Sequence, residues 1–319
     1  MRVLHLVPAG INLAFIPKHK MFFNFSALLI VASIGIFLAK GLNYGIDFQG
    51  GIMIEVRTEN VANIGVMRGH LSSLGLGEVA LQEFGAPTDV LIRVQRQEGG
   101  EKAQQNAIDK VKSVLGDKIS YRRTEFVGPK VSAELFWDGV LAVSLAILAI
   151  LVYIWFRFEW QFGFGAVAAL THDVASTIGI FALMGLEFNL STVAAILTIA
   201  GYSINDTVVV YDRVRENLRK YKKMPLGELL NNSINQTLSR TVMTSVTTLL
   251  ALLALFFLGG AVIRDFAFAM IWGVLIGTYS SICLAVPLLL YLNVNRSGLM
   301  VDDKIDDDKK GDTAVEKAP

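Results

Sequence analysis

Long apolar runs alternate with polar segments along most of the chain. A helix needs about 20 mostly apolar residues to cross roughly 30 Å of hydrocarbon. Six stretches meet this requirement: 21–39, 135–156, 162–183, 190–211, 240–258 and 266–292. The pattern predicts a membrane α-helical bundle with six transmembrane helices. The first run exceeds the 7–15 residues usual for a signal-peptide core and no A-x-A-like site follows it, so we expect an uncleaved anchor.

The segment after the first run is too polar to span a membrane and long enough to fold. Apolar and polar residues alternate over 52–57, which indicates a strand. Similar patterns predict the remaining elements: a helix at 64–74, strands at 79–84 and 90–94 separated by a turn at 85–89, a helix at 101–115 and a strand at 119–127. The order βαββαβ is that of a ferredoxin-like α+β domain. Its helices can cover only one face of the sheet, which leaves the other face available to a partner.

Basic residues in the short loops predict the orientation, because cytoplasmic loops are enriched in Lys and Arg. They precede the first run, follow the second at Arg157, and cluster at 213–223. We therefore predict five segments: a cytoplasmic N-terminus at 1–20, a first transmembrane helix at 21–40, a periplasmic domain at 41–133, five helices at 134–292 with a cytoplasmic basic loop at 212–235, and a disordered cytoplasmic tail at 293–319. The charges at 212–223 indicate the solvated, basic end of a helix, and retention in the cytoplasm accounts for them without any binding role.

Composition excludes several classes of function. The net charge is +1, and the single cysteine, Cys283, rules out a disulfide framework within the chain. The sequence has no P-loop or Cys/His cluster, and its four histidines lack ligand spacing. We therefore expect no enzyme, no cofactor and no metal site. The total charge says nothing about nucleic acid, and we expect no nucleic-acid partner. An ion gradient across the membrane remains as the available source of energy.

Charged residues inside the predicted spans are the candidate functional groups. Each costs about 2.5–3.5 kcal/mol at a helix centre on insertion scales. His172 and Asp173 lie near the middle of the third span, followed one turn later by Ser176 and Thr177. One interpretation is a hydrogen-bonded cluster that pins helix packing, and the other is a proton or ion site. The residues themselves leave both interpretations open.

Asp206 and Arg240 occupy comparable depths in the fourth and fifth spans. Asp206 lies about 22 Å along its helix from the outer end, and Arg240 about 27 Å from the outer end of its own. An ion pair, or one polar cavity shared by both, would make the two charges tolerable. The alternative for Arg240 is that its side chain snorkels to the inner interface. Asp206 could switch between neutral and charged forms, whereas Arg cannot release its proton.

Small residues repeat every four positions in the sixth span, at Gly273, Gly277, Ser281 and Ala285. Such a stripe lets another helix approach closely. The sequence leaves open whether that helix belongs to this chain or to another subunit.

Several of these motifs resemble a known family. The residues that carry the resemblance are Gly45–Gly51, Thr171–Asp173, Gly201–Asn217, Thr237–Thr241 and Gly259–Gly260. Together they are similar to the SecD/SecF family of protein-export proteins, which resembles the resistance–nodulation–division (RND) transporters. The similarity covers about 15–292.

The resemblance implies a role in the bacterial inner (plasma) membrane. Family members work with SecD, the SecYEG channel, the SecA motor and YajC, and proton flow moves their outer domains so that an unfolded preprotein is drawn across the lipid bilayer. It also implies proton coupling at Asp206 and Arg240, and more weakly at Asp173 and His172. Two alternatives remain: half of an RND-type exporter of small molecules or lipids, and an assembly subunit without proton coupling.

Overall fold

The computed structural model describes residues 12–77, 79–116, 119–259, 261–292 and 294. A short 3-10 turn, Ile16–Lys18, leads into the first helix. The helices are α1 (His19–Lys40), α2 (Ile46–Gln49), α3 (Ile64–Ser72), α4 (Gly100–Leu115), α5 (Pro129–Arg157), α6 (Trp160–Met184), α7 (Leu190–Lys220), α8 (Leu226–Leu258), α9 (Ala261–Ser280) and α10 (Val286–Leu288). The strands are β1 (Asn43–Tyr44), β2 (Gly51–Arg57), β3 (Val79–Phe84), β4 (Ala86–Val94), β5 (Ser120–Val127) and β6 (Glu187–Phe188).

Six helices in the described part of the chain are long and apolar enough to cross a membrane, which confirms the six predicted spans. They are α1 with its 3-10 turn, α5, α6, α7, α8, and α9 continued to Leu288. In the most apolar window of each, α6 and α7 are 50% buried and α9 is 72% buried, against 6–17% for α1, α5 and α8. Helices α6, α7 and α9 therefore form the centre of the bundle.

The connection predicted over 212–235 is mostly helical: the basic helix end expected at 212–223 is present, and the rest is shorter than expected. Helix α7 continues to Lys220 and α8 begins at Leu226, so only a five-residue turn joins them. Both extensions are amphipathic: Val214, Leu218, Leu229 and Leu230 are buried against each other's helices while the basic residues point outward. An apolar-run criterion ends a span where polar residues begin, although the helix itself continues.

The outer domain, 51–127, contains the predicted order of elements. Its four strands form an antiparallel sheet in the order β3-β4-β2-β5. Strand β4 begins at Ala86, so only Gly85 separates it from β3, and the predicted turn at 85–89 is too long. Gly85 has a φ of +84°, a conformation that favours glycine.

The two faces of the sheet bury different partners. On one face Ile52, Ile54 and Ile92 are fully buried beneath α3 and α4. On the other face Met53 and Leu91 pack with Ile46 of α2, in the segment that joins the sheet to the membrane helices. The part of this face around Met53 and Leu91, which the sequence left available to a partner, is therefore covered by residues of the same chain.

Two predicted segments extend beyond the described residues. The N-terminal segment 1–20 is described only from residue 12. The predicted disordered tail, 293–319, lies outside the described residues apart from Val294.

Candidate functional site in the centre of the bundle

Asp173 lies at the centre of the buried polar residues. It is the fourteenth residue of the 25-residue helix α6, and both it and His172 are fully buried. The imidazole Nδ1 of His172 lies 3.0 Å from Oδ1 of Asp173. The predicted neighbours Ser176 and Thr177 instead donate to the backbone carbonyl of Asp173, at 3.0 and 2.8 Å. They shape the helix around the carboxylate without touching it.

The second carboxylate oxygen of Asp173 joins α6 to two other helices. Its Oδ2 accepts a hydrogen bond from Ser203 Oγ of α7 at 2.5 Å and one from Ser280 Oγ of α9 at 2.8 Å. Both serines are buried. Because an unpaired charge in an apolar interior is very costly, this set of donors is what a charged carboxylate requires there. One ionisable group thus holds the three central helices together.

Small residues make this close approach possible. A Cβ placed on Gly277 would lie 3.5 Å from Oδ2 of Asp173 and 3.2 Å from Cβ of Ser203. At Gly273 a Cβ would overlap the side chain of Ile199 in α7. The small-residue stripe therefore packs against α7 of the same chain, which answers the question that the sequence left open.

The helical geometry changes directly after Ser280, the last residue of α9, which contacts the Asp173 carboxylate. Residues Ser281–Ala285 form one turn of π-helix, a feature that often marks functional sites. Ser281 Oγ lies 2.8 Å from Thr207 Oγ1 and donates to the carbonyl of Ser203 at 3.3 Å. Tyr211 donates its hydroxyl to the carbonyl of Ala285 at 3.0 Å. Hydroxyl groups thus continue from the Asp173 site along α7.

Asp206 lies beside this run of hydroxyl groups, one turn beyond Ser203 on the same face of α7. It is only 3% exposed, and its Oδ2 has no hydrogen-bond partner within the described residues. Few buried polar atoms in proteins remain unpaired, so this oxygen has unused capacity for a proton, a water molecule or a partner.

Arg240 does not form an ion pair with Asp206 within 4.0 Å. Arg240 is exposed on the surface of the chain and lies in the middle of α8 instead of at a helix end. The two residues therefore share a region without contact. The predicted pairing of Asp206 with Arg240 remains a prediction for the functioning assembly.

His172 contributes a second unpaired atom. Its Nε2 is buried without a hydrogen-bond partner among the described residues, and its ring lies 6.0 Å from that of Tyr279. The Tyr279 hydroxyl donates to the carbonyl of Phe22 in α1 and contacts Ser26. His172 therefore lies between the carboxylate and α1.

No group of three or more His, Cys, Asp or Glu side chains suitable for a metal ion occurs in the described residues. Sequence reasoning found Asp173, His172 and Asp206 because charges are conspicuous in apolar runs. It missed Ser280, whose only signal is its position next to the small-residue stripe.

Comparisons with known proteins agree on one family. Residues 106–295 match the model of the C-terminal region of the protein export membrane proteins SecD/SecF, and residues 35–60 match the SecD/SecF GG motif. Proteins named protein translocase subunit SecF are similar over nearly their whole length. The one from Rhodobacter capsulatus is 47% identical over 309 residues, covering 92% of this chain and 93% of the relative. The one from Rickettsia rickettsii is 46% identical over 301 residues, covering 92% and 96%.

Solved structures give the same result for the fold. The crystal structure of SecDF, a translocon-associated membrane protein from Thermus thermophilus, superposes with a TM-score of 0.82 at 39% identity, over 90% of this chain. A second SecDF structure, in a super-membrane-facing form, gives a TM-score of 0.67 at 38% identity over 93% of this chain. This chain spans about two fifths of each SecDF chain, 39% and 41%.

Proposed function

This chain belongs to the SecD/SecF family of protein export membrane proteins, and from that premise we propose that it is an accessory subunit of the Sec protein translocase. In this role it works with SecD, and beside the SecYEG channel, SecA and YajC, to promote export of unfolded preproteins across the bacterial inner membrane. The proton motive force supplies the energy. The similarity to SecF subunits over nearly the whole chain supports the role.

The proposal includes an orientation. Both termini and the turn at 221–225 face the cytoplasm, and the outer domain faces the periplasm, as the distribution of Lys and Arg predicts. The outer domain is a ferredoxin-like unit: its strand order and its βαββαβ sequence of elements support that assignment.

Proton coupling is proposed to act through Asp173 and Asp206. Charged Asp173 attracts donors from α6, α7 and α9 together, whereas a protonated carboxyl becomes a donor itself and needs fewer of them. A proton that arrives or leaves therefore changes which hydrogen bonds hold the central helices, and this change shifts the equilibrium between two packings. Of Asp206 and Arg240, Asp206 is the one that can gain or lose a proton, because an arginine side chain cannot be deprotonated in proteins.

The observation that carries this proposal is the buried carboxylate of Asp173 held by serines from two other helices. The test compares Asp173→Asn and Asp206→Asn with Asp212→Asn, which removes an exposed carboxylate from the end of the same helix α7. Asparagine keeps the size of the side chain but cannot take up or release a proton, so neither variant can couple export to proton flow at its position. We therefore expect the first two variants to lower proton-dependent export by about tenfold or more, and the third to leave it unchanged.

The readout is preprotein export into inverted membrane vesicles, with SecD co-purification as the check of assembly. Normal export by both buried-site variants would refute coupling and favour an assembly subunit without it. Normal export together with loss of small-molecule or lipid efflux would favour an RND-type exporter. Export driven by a sodium gradient instead of a proton gradient would identify Na⁺ as the coupling ion.

A further inference from the structure

A buried ion pair joins the outer domain to the membrane helices. Arg93 Nη2 of β4 lies 2.5 Å from Glu187 Oε2 in the segment between α6 and α7. The side chains of Arg93 and Glu187 are only 16% and 11% exposed. Arg93 also donates to Oδ1 of Asn43 at 2.7 Å. Strand β4 is paired on both sides, so Arg93 moves with the whole sheet.

A short backbone connection reinforces this ion pair. Strands β1 and β6 pair in parallel, with Asn43 opposite Glu187. The backbone N–H of Gly45 donates to the carbonyl of Phe188 at 2.9 Å. A Cβ on Gly45 would collide with the Glu187 carboxylate and lie 3.1 Å from Cβ of Asn189, so a larger residue there would displace the Glu187 side chain.

Glu187 lies where the three helices of the buried site converge. The chain reaches it directly from α6, which carries Asp173, and continues from it into α7, which carries Ser203. Asp265 of α9 lies close enough to Glu187 to hydrogen-bond with its backbone, while the two carboxylates repel each other. At the start of α7, the backbone N–H of Leu190 donates to Oδ2 of Asp47 at 3.0 Å.

The outer domain has no direct covalent connection to the three central helices α6, α7 and α9. The domain is joined to the membrane through α1 and α5, and neither helix supplies a hydrogen-bond donor to the Asp173 carboxylate. Both helices lie at the periphery of the bundle. A movement of α6, α7 or α9 thus reaches the outer domain most directly through non-covalent contacts at Glu187.

We propose that the Arg93–Glu187 ion pair, with the β1–β6 pairing beside it, is the joint that transmits a rearrangement of the central helices to the outer domain. This inference rests on the proposed function, because it presupposes that the helices move during export. The ion pair and the strand pairing remain intact during the movement and transmit force from the central helices to the sheet. Removing either partner leaves the other charge buried and uncompensated, so the attachment loosens.

The test replaces the ion pair by a covalent bond that can be switched. In a Cys283→Ser background that also carries Arg93→Gln, so that no charge is left buried without a partner, Asn43→Cys and Glu187→Cys introduce two cysteines at directly paired positions. Both native side chains contact Arg93, so both point to the same side of the short ladder. Neighbouring strands lie within the Cα separation of 4.4–6.8 Å that a disulfide accepts.

Export and proton flux are measured in inverted membrane vesicles before and after membrane-permeant dithiothreitol. We expect the oxidised form to export at the rate of the Cys283→Ser parent and the reduced form several-fold more slowly. Proton flux should be the same in both forms, because Asp173 and Asp206 are unchanged in both. The parent serves as the control for the reductant, and Arg57→Gln, which breaks an ion pair within the outer domain, should export normally.

Equal export by the oxidised and reduced forms would overturn the joint, whether both rates were normal or both were low. Arg93→Gln provides a second test without engineered cysteines: export should fall several-fold while proton flux and membrane abundance stay unchanged. Normal export by Arg93→Gln would also refute the proposal. A failure of the proposed function itself is seen separately, as normal export by Asp173→Asn and Asp206→Asn.

Discussion

The outer domain and the centre of the membrane bundle are held together by different residues. Beneath α3 and α4 the sheet buries Ile52, Ile54 and Ile92, and this core contains hardly any polar side chains. Between α6, α7 and α9 the closest contacts are made by glycine, by serine hydroxyls and by the Asp173 carboxylate. Apolar side chains such as Phe181, Ile199 and Val274 are buried between these helices too, so the difference is the titratable group and its hydrogen bonds that the bundle adds.

The surrounding solvent explains this difference. In water, burial of apolar area stabilises a core by about 25 cal/mol per Å². In lipid, an apolar side chain gains little by moving from hydrocarbon to a helix interface, so close backbone approach and hydrogen bonds hold the helices instead. Hydrogen bonds to a titratable group can be altered by a proton, whereas an aliphatic core cannot. The bundle centre is thus suited to switching and the sheet to transmitting force.

The largest expected effect on stability comes from removing a buried apolar side chain from the sheet, in comparison with removing a lipid-facing one from the bundle. Ile92→Ala empties a fully buried site in the sheet and should cost about 2–5 kcal/mol. Leu250→Ala removes a side chain that is 64% exposed on α8, where lipid replaces it, and should change stability by less than about 0.5 kcal/mol. Thermal unfolding of the purified protein in detergent measures both. Equal decreases in unfolding temperature would show that a lipid-facing side chain contributes as much to stability as one in the sheet core.

An intermediate effect should come from two glycines in the bundle, with opposite signs. Gly201 of α7 has open space where a Cβ would go, so Gly201→Ala should stabilise by up to about 1 kcal/mol through helix propensity. Gly273→Ala would force Cβ against Ile199, and overpacking typically costs about 1–3 kcal/mol. The same thermal unfolding assay compares them. Stabilisation by both substitutions would show that the small-residue stripe is not tightly packed.

The smallest effect should come from acid acting on the outer domain. The Arg57 guanidinium donates to both oxygens of Asp89 and holds the pKa of that carboxyl below its usual 3.8. The pair therefore contributes stability in full above the unfolded pKa of about 3.9, and this contribution is lost as pH falls through the lower folded pKa. Stability measured below about pH 4 should decline less in Asp89→Asn than in the parent. An identical decline would exclude the pair as its source.

Much of the fold was predictable because its signals are local. Apolar runs predicted six spans, and alternation and helical periodicity predicted the βαββαβ order of the outer domain. The start of α8 at Leu226, well before the span predicted from 240, was missed because an amphipathic helix beyond the membrane does not raise the apolar average. The candidate residues Asp173, His172 and Asp206 were found for a similarly local reason, since a charge in an apolar run is costly wherever it points.

The sequence by itself thus determined which segments span, which residues there carry charge, and which side of the membrane each loop is expected to face. Only the tertiary structure decided which side chains meet: Asp173 with Ser203 and Ser280, and Arg93 with Glu187, across separations of 30, 107 and 94 residues. The physical reason is that lipid-facing and bundle-facing surfaces are equally apolar. Hydropathy therefore reports the depth of a residue, whereas the rotation of each helix about its axis is set by packing.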